Sequence, residues 1–154
     1  VIVGGGTPTY PFYAVQPEVE CSPGTFILWD KGYQDSFEEQ GYLIAAVLVS
    51  RVISLPDETK ISLDLGHKAV AAENELTKRV SFLNAPDAKI ISQSEEHLVL
   101  EMAKGHGFKV GDVLYGLPKH ICPTVALYDR AATVIDYKIT GEWAIVSRNR
   151  KINI

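Results

Sequence analysis

The sequence predicts a mainly β fold, either a closed or nearly closed β-barrel or a β-sandwich. Ten short stretches have the length and the β-branched or aromatic content of strands. Turn signals such as Pro56-Asp57 and Thr140-Gly141 separate them. Helical periodicity is weak, and short strands at regular spacing are typical of barrels and sandwiches. The predicted strands cover residues 25–29, 41–54, 60–64, 79–82, 88–92, 97–101, 113–116, 124–128, 133–139 and 142–147.

The beginning of the chain differs from this pattern. Residues 1–3 predict a short buried strand, which runs into a glycine-rich turn at residues 4–9. Residues 10–24 contain three prolines and a glycine, and they predict a connector. Residues 34–40 and 69–77 could each hold a turn or two of helix. The first strand and its loop fit poorly with a self-contained barrel, so we expect them to be a remnant of another unit.

Composition excludes several classes of protein. Of the 154 residues, 46% are hydrophobic and 22% are charged, which is ordinary for a globular domain. The net charge is −4 and the basic residues are scattered, so no nucleic-acid partner is predicted. No apolar run reaches the roughly 18 residues of a membrane span, and the first residues do not resemble a signal peptide. Two distant cysteines do not make a disulfide framework. We therefore expect a reduced, cytoplasmic compartment and, without an initiator Met, an excerpt of a longer chain.

The sharpest chemical motif is His120-Ile121-Cys122. On an extended segment, residues two apart point to the same side, so His120 and Cys122 would converge on one point. Imidazole and thiolate are good zinc ligands, and two protein ligands suit an open catalytic site. The alternative is a buried cysteine beside a histidine that caps a loop carbonyl.

Three further features could carry chemistry. The loop at residues 4–9, Gly-Gly-Gly-Thr-Pro-Thr, could bring backbone N–H groups to a phosphate, or it could be a plain turn. His97 follows two glutamates and could act as an acid or base, support a metal ligand, or end a solvated strand. Tyr33 follows a turn at the end of a predicted strand and could reach into a cleft.

These pieces together resemble the D-threonine aldolase / D-serine dehydratase family of alanine-racemase-like pyridoxal-phosphate (PLP) enzymes. The matching stretches occur in the family's order over nearly the whole chain, and the glycine loop and His-x-Cys-Pro-Thr are the specific ones. They are residues 4–9, 22–25 leading to Asp30 and Tyr33, 64–69, 95–97, 118–124, and Trp143 with Arg148.

The resemblance implies a remnant of the last strand of a PLP-binding (β/α)8 barrel, with its connector, at residues 1–20. Residues 21–154 would then be a C-terminal β-domain with the metal site. Gly5, Gly6 and Thr7 would bind the PLP phosphate, and His120 and Cys122 a divalent metal, zinc or manganese. The Schiff-base lysine would belong to the missing N-terminal barrel, so this chain alone should be inactive. A homodimer is expected on the same ground.

The implied function is a lyase for small D-β-hydroxy amino acids. We expect D-threonine aldolase activity, with His97 and Tyr33 as candidate catalytic residues, because residues 143–152 favour that branch. D-Serine dehydratase or racemase activity within the family is the alternative. A non-catalytic β-barrel binding module, in which His120 and Cys122 are structural, is a second alternative from a different class.

Overall fold

The computed structural model describes residues 1–149, and its main body is a six-stranded antiparallel sheet curled into a half-barrel. Its strands are β3 (Leu48–Ser54), β4 (Lys60–Leu63), β5 (Val80–Phe82), β6 (Lys89–Gln93), β7 (Leu98–Glu101) and β8 (Val113–Pro118). The strand order across the sheet is β5-β8-β3-β4-β7-β6. The predicted mainly β fold is confirmed.

Alternation along the strands places the core on one face of this sheet. In β3, Leu48, Ser50 and Val52 are buried while the residues between them are exposed, because successive side chains of a strand point to opposite faces. The centre of the core consists of fully buried aliphatic side chains, each of which contributes about 1.5–3 kcal/mol by leaving water. They are Val52, Ile61, Leu63, Leu65, Val70, Leu98, Leu100 and Leu114.

Residues 1–149 also contain two two-stranded sheets. β1 (Ile2–Gly4) pairs in parallel with β2 (Val19–Cys21), and α1 (Tyr10–Tyr13) lies between them along the chain. Residues 10–24 are therefore more than a connector, since they contain a helix and a strand. A parallel pair is typical of α/β units and not of antiparallel β-domains. The boundary predicted at residue 20 falls within β2 and stays a prediction.

The third sheet is a two-stranded hairpin near the C-terminal end. β9 (Arg130–Ile135) and β10 (Lys138–Ala144) pair antiparallel, and both are largely exposed. The strand predicted over residues 133–139 was wrong in its bounds, because the chain turns at Asp136 and Tyr137, both with positive φ. The strand predicted over residues 142–147 is part of β10 only as far as Ala144, and a 3-10 turn follows at Val146–Arg148. Residues 150–152 of the stretch that favoured the aldolase branch lie outside the described residues.

Two predicted strands are not strands in the structure. Residues 25–29 form a 3-10 turn at Thr25–Ile27, in which the N–H groups of Leu28 and Trp29 both donate to the carbonyl of Thr25. Residues 124–128 follow and partly overlap α3 (Ile121–Val125). Only the second half of the strand predicted over 41–54 forms, as β3. In the first two cases the local hydrogen bonds of a turn or helix replace a strand ladder, although the β-branched and apolar composition favours strands.

The helix predictions had mixed outcomes. The prediction over residues 34–40 is confirmed in part by α2 (Lys31–Ser36) and a 3-10 turn at Glu38–Gln40. The helix predicted over residues 69–77 was wrong, apart from a 3-10 turn at Leu76–Lys78. Other contacts outweigh helix propensity there: the N–H groups of Ala69 and Val70 both donate to the carbonyl of Gly66, and that of Ala71 donates to the hydroxyl of Thr124. Within residues 1–149, no helix is long and apolar enough to cross a membrane.

Candidate functional site

The His-x-Cys motif lies at the start of α3, directly after β8. His120 is extended and forms the N-terminal cap position of the helix, whereas Cys122 is already helical. The prediction that both residues lie on one extended segment is therefore wrong. The rule that extended residues two apart share a side does not apply to a pair that spans a helix boundary.

A buried carboxylate fixes the start of this helix. Asp30 is only 2% exposed. Its Oδ1 accepts a hydrogen bond from the backbone N–H of Tyr33 at 2.8 Å, and its Oδ2 accepts one from that of Ile121 at 2.9 Å. Asp30 thus caps α2 and α3 together and satisfies N–H groups that a helix start otherwise leaves unpaired. Asp before a Lys-Gly-Tyr sequence is a recognisable cap signal for α2, but nothing local indicates the second bond.

Gly32 sets how closely α2 approaches the end of β8. Its N–H donates to the carbonyl of Lys119 at 3.0 Å. A Cβ atom at Gly32 would lie 2.4 Å from that same carbonyl oxygen, a distance at which the backbone would have to move. The absence of a side chain at Gly32 therefore allows α2, which carries Tyr33, to lie close to the chain that leads into the His-x-Cys motif.

Each of the two candidate metal ligands has one side-chain partner. Nδ1 of His120 lies 2.7 Å from Oε1 of Glu73, and Sγ of Cys122 lies 2.9 Å from Oγ1 of Thr25. The side chains of His120 and Glu73 are both about half exposed. Glu73 is 47 positions away along the chain, so sequence reasoning missed it, and no local pattern could have indicated it.

A shallow cleft of about 240 Å³ borders Cys122, and its lining is mostly apolar. Its lining residues are Gly24, Thr25, Leu28, Ile121, Cys122 and Val125. The motif therefore borders a space that a small molecule could enter.

The donor set of this site fits an open zinc site. One nitrogen and one thiol sulfur are the ligand types that zinc prefers, and the described contact of His120 uses Nδ1, which leaves Nε2 for a metal. Within residues 1–149, no group of three or more His, Cys, Asp or Glu side chains is placed to hold a metal. Two protein ligands would leave positions open to water or substrate, and catalytic zinc sites keep at least one such open position.

The glycine loop follows β1, as the sequence predicts, and its geometry suits an anion. Gly5 has φ of +75°, a conformation that favours glycine. No hydrogen bond within the described residues uses the N–H groups of Gly5 or Gly6. Thr7 is 4% exposed, and its hydroxyl accepts a hydrogen bond from the N–H of Phe26 at 3.2 Å, which leaves its own proton to donate. Two free N–H groups and one hydroxyl fit a phosphate.

Tyr33 lies in the first turn of α2. The sequence instead predicts this residue after a turn at the end of a strand. Its ring is half-buried and packs against Trp29 and Phe37, with ring centroids 5.3 and 5.7 Å away. Burial raises the pKa of Tyr33, and the charges of Asp30 and Cys122 raise it further. The phenol therefore keeps its proton at neutral pH and can donate a hydrogen bond.

His97 lies elsewhere, in the turn between β6 and β7. Its N–H donates to the hydroxyl of Ser94, and its carbonyl accepts from the N–H of Ser94. The preceding Glu95 and Glu96 both pair with Lys68. The described contacts of His97 are thus confined to this turn and do not include His120 or Cys122, and its catalytic role stays a prediction.

The known proteins that this chain resembles include two aldolases of hydroxy amino acids. The chain is 28% identical over 96% of its length to D-threonine aldolase of an Arthrobacter species, and covers 39% of that protein. It is 27% identical over 97% of its length to 3-hydroxy-D-aspartate aldolase of Paracoccus denitrificans, and covers 40% of it. The chain therefore spans about 40% of the length of these curated relatives.

Solved structures share the fold. D-Threonine aldolase from Filomicrobium marinum superposes with a TM-score of 0.83 at 18% identity, over 97% of this chain and 42% of that one. The structure of a histidine-to-alanine variant of D-threo-3-hydroxyaspartate dehydratase superposes with a TM-score of 0.75 at 19% identity, over 94% of this chain and 43% of that one. Its cysteine-to-alanine variant, in the metal-free form, gives a TM-score of 0.71 at 20% identity over the same shares. The two replaced residues are two positions apart in that enzyme.

The family model described as "Putative serine dehydratase domain" matches residues 45–134, more than half of the chain. This segment runs from just before β3 to the end of β9 and contains the whole curled sheet, Glu73, His120 and Cys122. The chain therefore belongs to the D-threonine aldolase / D-serine dehydratase-like family, whose C-terminal β-domain fold it has.

Proposed function

We propose that this chain is the C-terminal part of a PLP- and divalent-metal-dependent lyase that cleaves small D-β-hydroxy amino acids, in the manner of a D-threonine aldolase. The observation that carries the proposal is the start of α3, where His120 stands two positions before Cys122. The described contact of His120 leaves its Nε2 available, and Cys122 borders a cleft. The aldolase relatives, matched over nearly the whole chain, support this reaction class.

The chain's own residues would have distinct tasks. Bound PLP supplies an electron sink for negative charge at the substrate α-carbon, and a bound divalent metal supplies a Lewis acid for the β-hydroxyl. His120 and Cys122 would hold the metal, and the loop of Gly5, Gly6 and Thr7 would hold the phosphate. Tyr33, protonated at neutral pH, would donate a hydrogen bond from its Oη to the substrate.

The remaining parts of the proposal concern the whole protein. The aldolase relatives are more than twice as long as this chain, which supports a missing N-terminal barrel with the Schiff-base lysine. A homodimer and a cytoplasmic location belong to the same proposal. His97, in its separate turn, would enter proton transfer only if the missing part of the protein brings substrate to that turn.

Dehydration is the second candidate reaction, and one observation favours it. In D-threo-3-hydroxyaspartate dehydratase the variants replace a histidine and a cysteine two positions apart, and the cysteine variant is the metal-free form. His120 and Cys122 have the same residue types and the same spacing. Products separate the two reactions: D-threonine gives glycine and acetaldehyde in an aldolase, but 2-oxobutanoate and ammonia in a dehydratase.

The test uses the full-length protein and its His120→Ala and Cys122→Ala variants. We expect both variants to lose bound metal and to cleave D-threonine at least about 100-fold more slowly, while PLP absorbance is retained. His106→Ala and Cys21→Ala are matched controls, because His106 lies between two glycines of a loop and Cys21 lies in β2. Retained metal and an unchanged rate in the two site variants would show that the pair is structural.

A further inference from the structure

The loop that carries Glu73 is tied to the same helical turn that carries His120. The N–H of Ala71 donates to the hydroxyl of Thr124 at 3.1 Å, and that hydroxyl donates to the carbonyl of His120 at 2.7 Å. Thr124 is 1% exposed, so water does not compete for these two bonds. Glu73 therefore approaches His120 from a backbone that is anchored two residues earlier, and its carboxylate is not a freely moving surface group.

Glu73 contacts one of the two imidazole nitrogens of His120, and this contact decides which nitrogen remains available for a metal. Its Oε1 lies 2.7 Å from Nδ1 of His120, and a carboxylate can only accept a hydrogen bond, so Nδ1 must carry the proton. In neutral imidazole the proton sits on one nitrogen only, so Nε2 then has a free lone pair. A partner of this kind commonly fixes the tautomer and the ring orientation of histidines that bind metals.

We propose that Glu73 is a positioning residue, which holds His120 with Nδ1 protonated and Nε2 directed outward as the metal-binding nitrogen. This inference rests on the proposed function, because it assumes that His120 binds a metal. Stability alone is a weak explanation for the contact. Both side chains are about half exposed, and exposed pairs contribute little to folding.

The first measurement is the zinc affinity of the full-length protein, determined by competition with a chromophoric chelator. We expect Glu73→Ala to bind zinc about 10- to 100-fold more weakly than the wild type. Glu73→Gln keeps a carbonyl oxygen that can accept from Nδ1–H, and it should recover most of the affinity. The matched control is Glu75→Ala, two positions along the same loop, where the carboxylate pairs with Lys78 at 2.8 Å. This control should bind zinc as the wild type does.

The second measurement needs no metal. The ¹⁵N chemical shifts of His120 in the zinc-free protein should report the Nδ1-protonated tautomer in the wild type and a shift towards the Nε2-protonated tautomer in Glu73→Ala. A purely structural contact would change thermal stability but leave the zinc affinity unchanged.

The possible outcomes separate the two proposals. Wild-type zinc binding that is lost in His120→Ala but unchanged in Glu73→Ala would overturn the positioning role and leave the proposed function intact. A wild-type protein that binds neither zinc nor manganese would overturn both. Weaker binding in Glu73→Ala, with recovery in Glu73→Gln and no change in Glu75→Ala, is the result that establishes the role.

Discussion

Asp30→Ala is expected to lower the free energy of unfolding by about 3–6 kcal/mol, since each of the two hydrogen bonds to this charged group contributes about 1.5–3 kcal/mol. Asp30 is 2% exposed and accepts from the N–H of Tyr33 and from that of Ile121. Truncation would leave two N–H groups at two helix starts without these acceptors, inside the protein. The measurement is urea unfolding of the variant and the wild type.

The free energy of unfolding of Asp30→Asn should lie between those of Asp30→Ala and the wild type. The amide keeps one acceptor oxygen but turns an N–H group towards the second donor. Asp35→Ala is the matched control. Asp35 lies on the same helix, is exposed, and pairs with Lys31 and Lys119, so its removal should cost about 1 kcal/mol or less. If Asp30→Ala unfolded at the same urea concentration as this control, the double cap would contribute little to stability.

Gly66→Ala is expected to destabilise the fold by about 3 kcal/mol, at the upper end of the usual cost of overpacking. A Cβ atom there would lie 2.0 Å from the carbonyl oxygen of Glu95 and 2.3 Å from the nitrogen of Glu96. Both atoms are backbone, so the β6–β7 turn would have to move. The hydrogen bonds that His67 and Lys68 donate to this turn, at 3.0 and 3.2 Å, would weaken with it.

Thermal unfolding of Gly66→Ala and Gly24→Ala tests this steric argument. Gly24 is the control, because a Cβ atom there meets nothing within 4 Å and its φ is −111°. We expect Gly24→Ala to unfold close to the wild-type temperature. Equal midpoints for the two variants would mean that the close approach at Gly66 relaxes at little cost.

The sequence revealed those parts of the site whose residues are close together along the chain. The motif of His120 and Cys122 and the glycine loop were visible as residue types at short spacing. The partners that give the motif its geometry are distant: Glu73 is 47 positions from His120, and Thr25 is 97 positions from Cys122. Hydrogen bonds over such separations depend on which loops the fold brings together, and no window of sequence contains both groups.

By itself, the sequence determined the mainly β class and most of the strands of the curled sheet. The alternation of Leu48, Ser50 and Val52 in β3 is a pattern of period two, which a window of a few residues contains in full. The tertiary structure decided that residues 121–125 are helical and that residues 69–75 are not. The carboxylate of Asp30, 91 positions before Ile121, caps α3, and the hydroxyl of Thr124, 53 positions after Ala71, accepts the N–H of that residue in the loop at 69–75. The physical reason is that side-chain periodicity is a property of neighbouring residues, whereas the partners of capping and loop N–H groups exist only once the chain has folded.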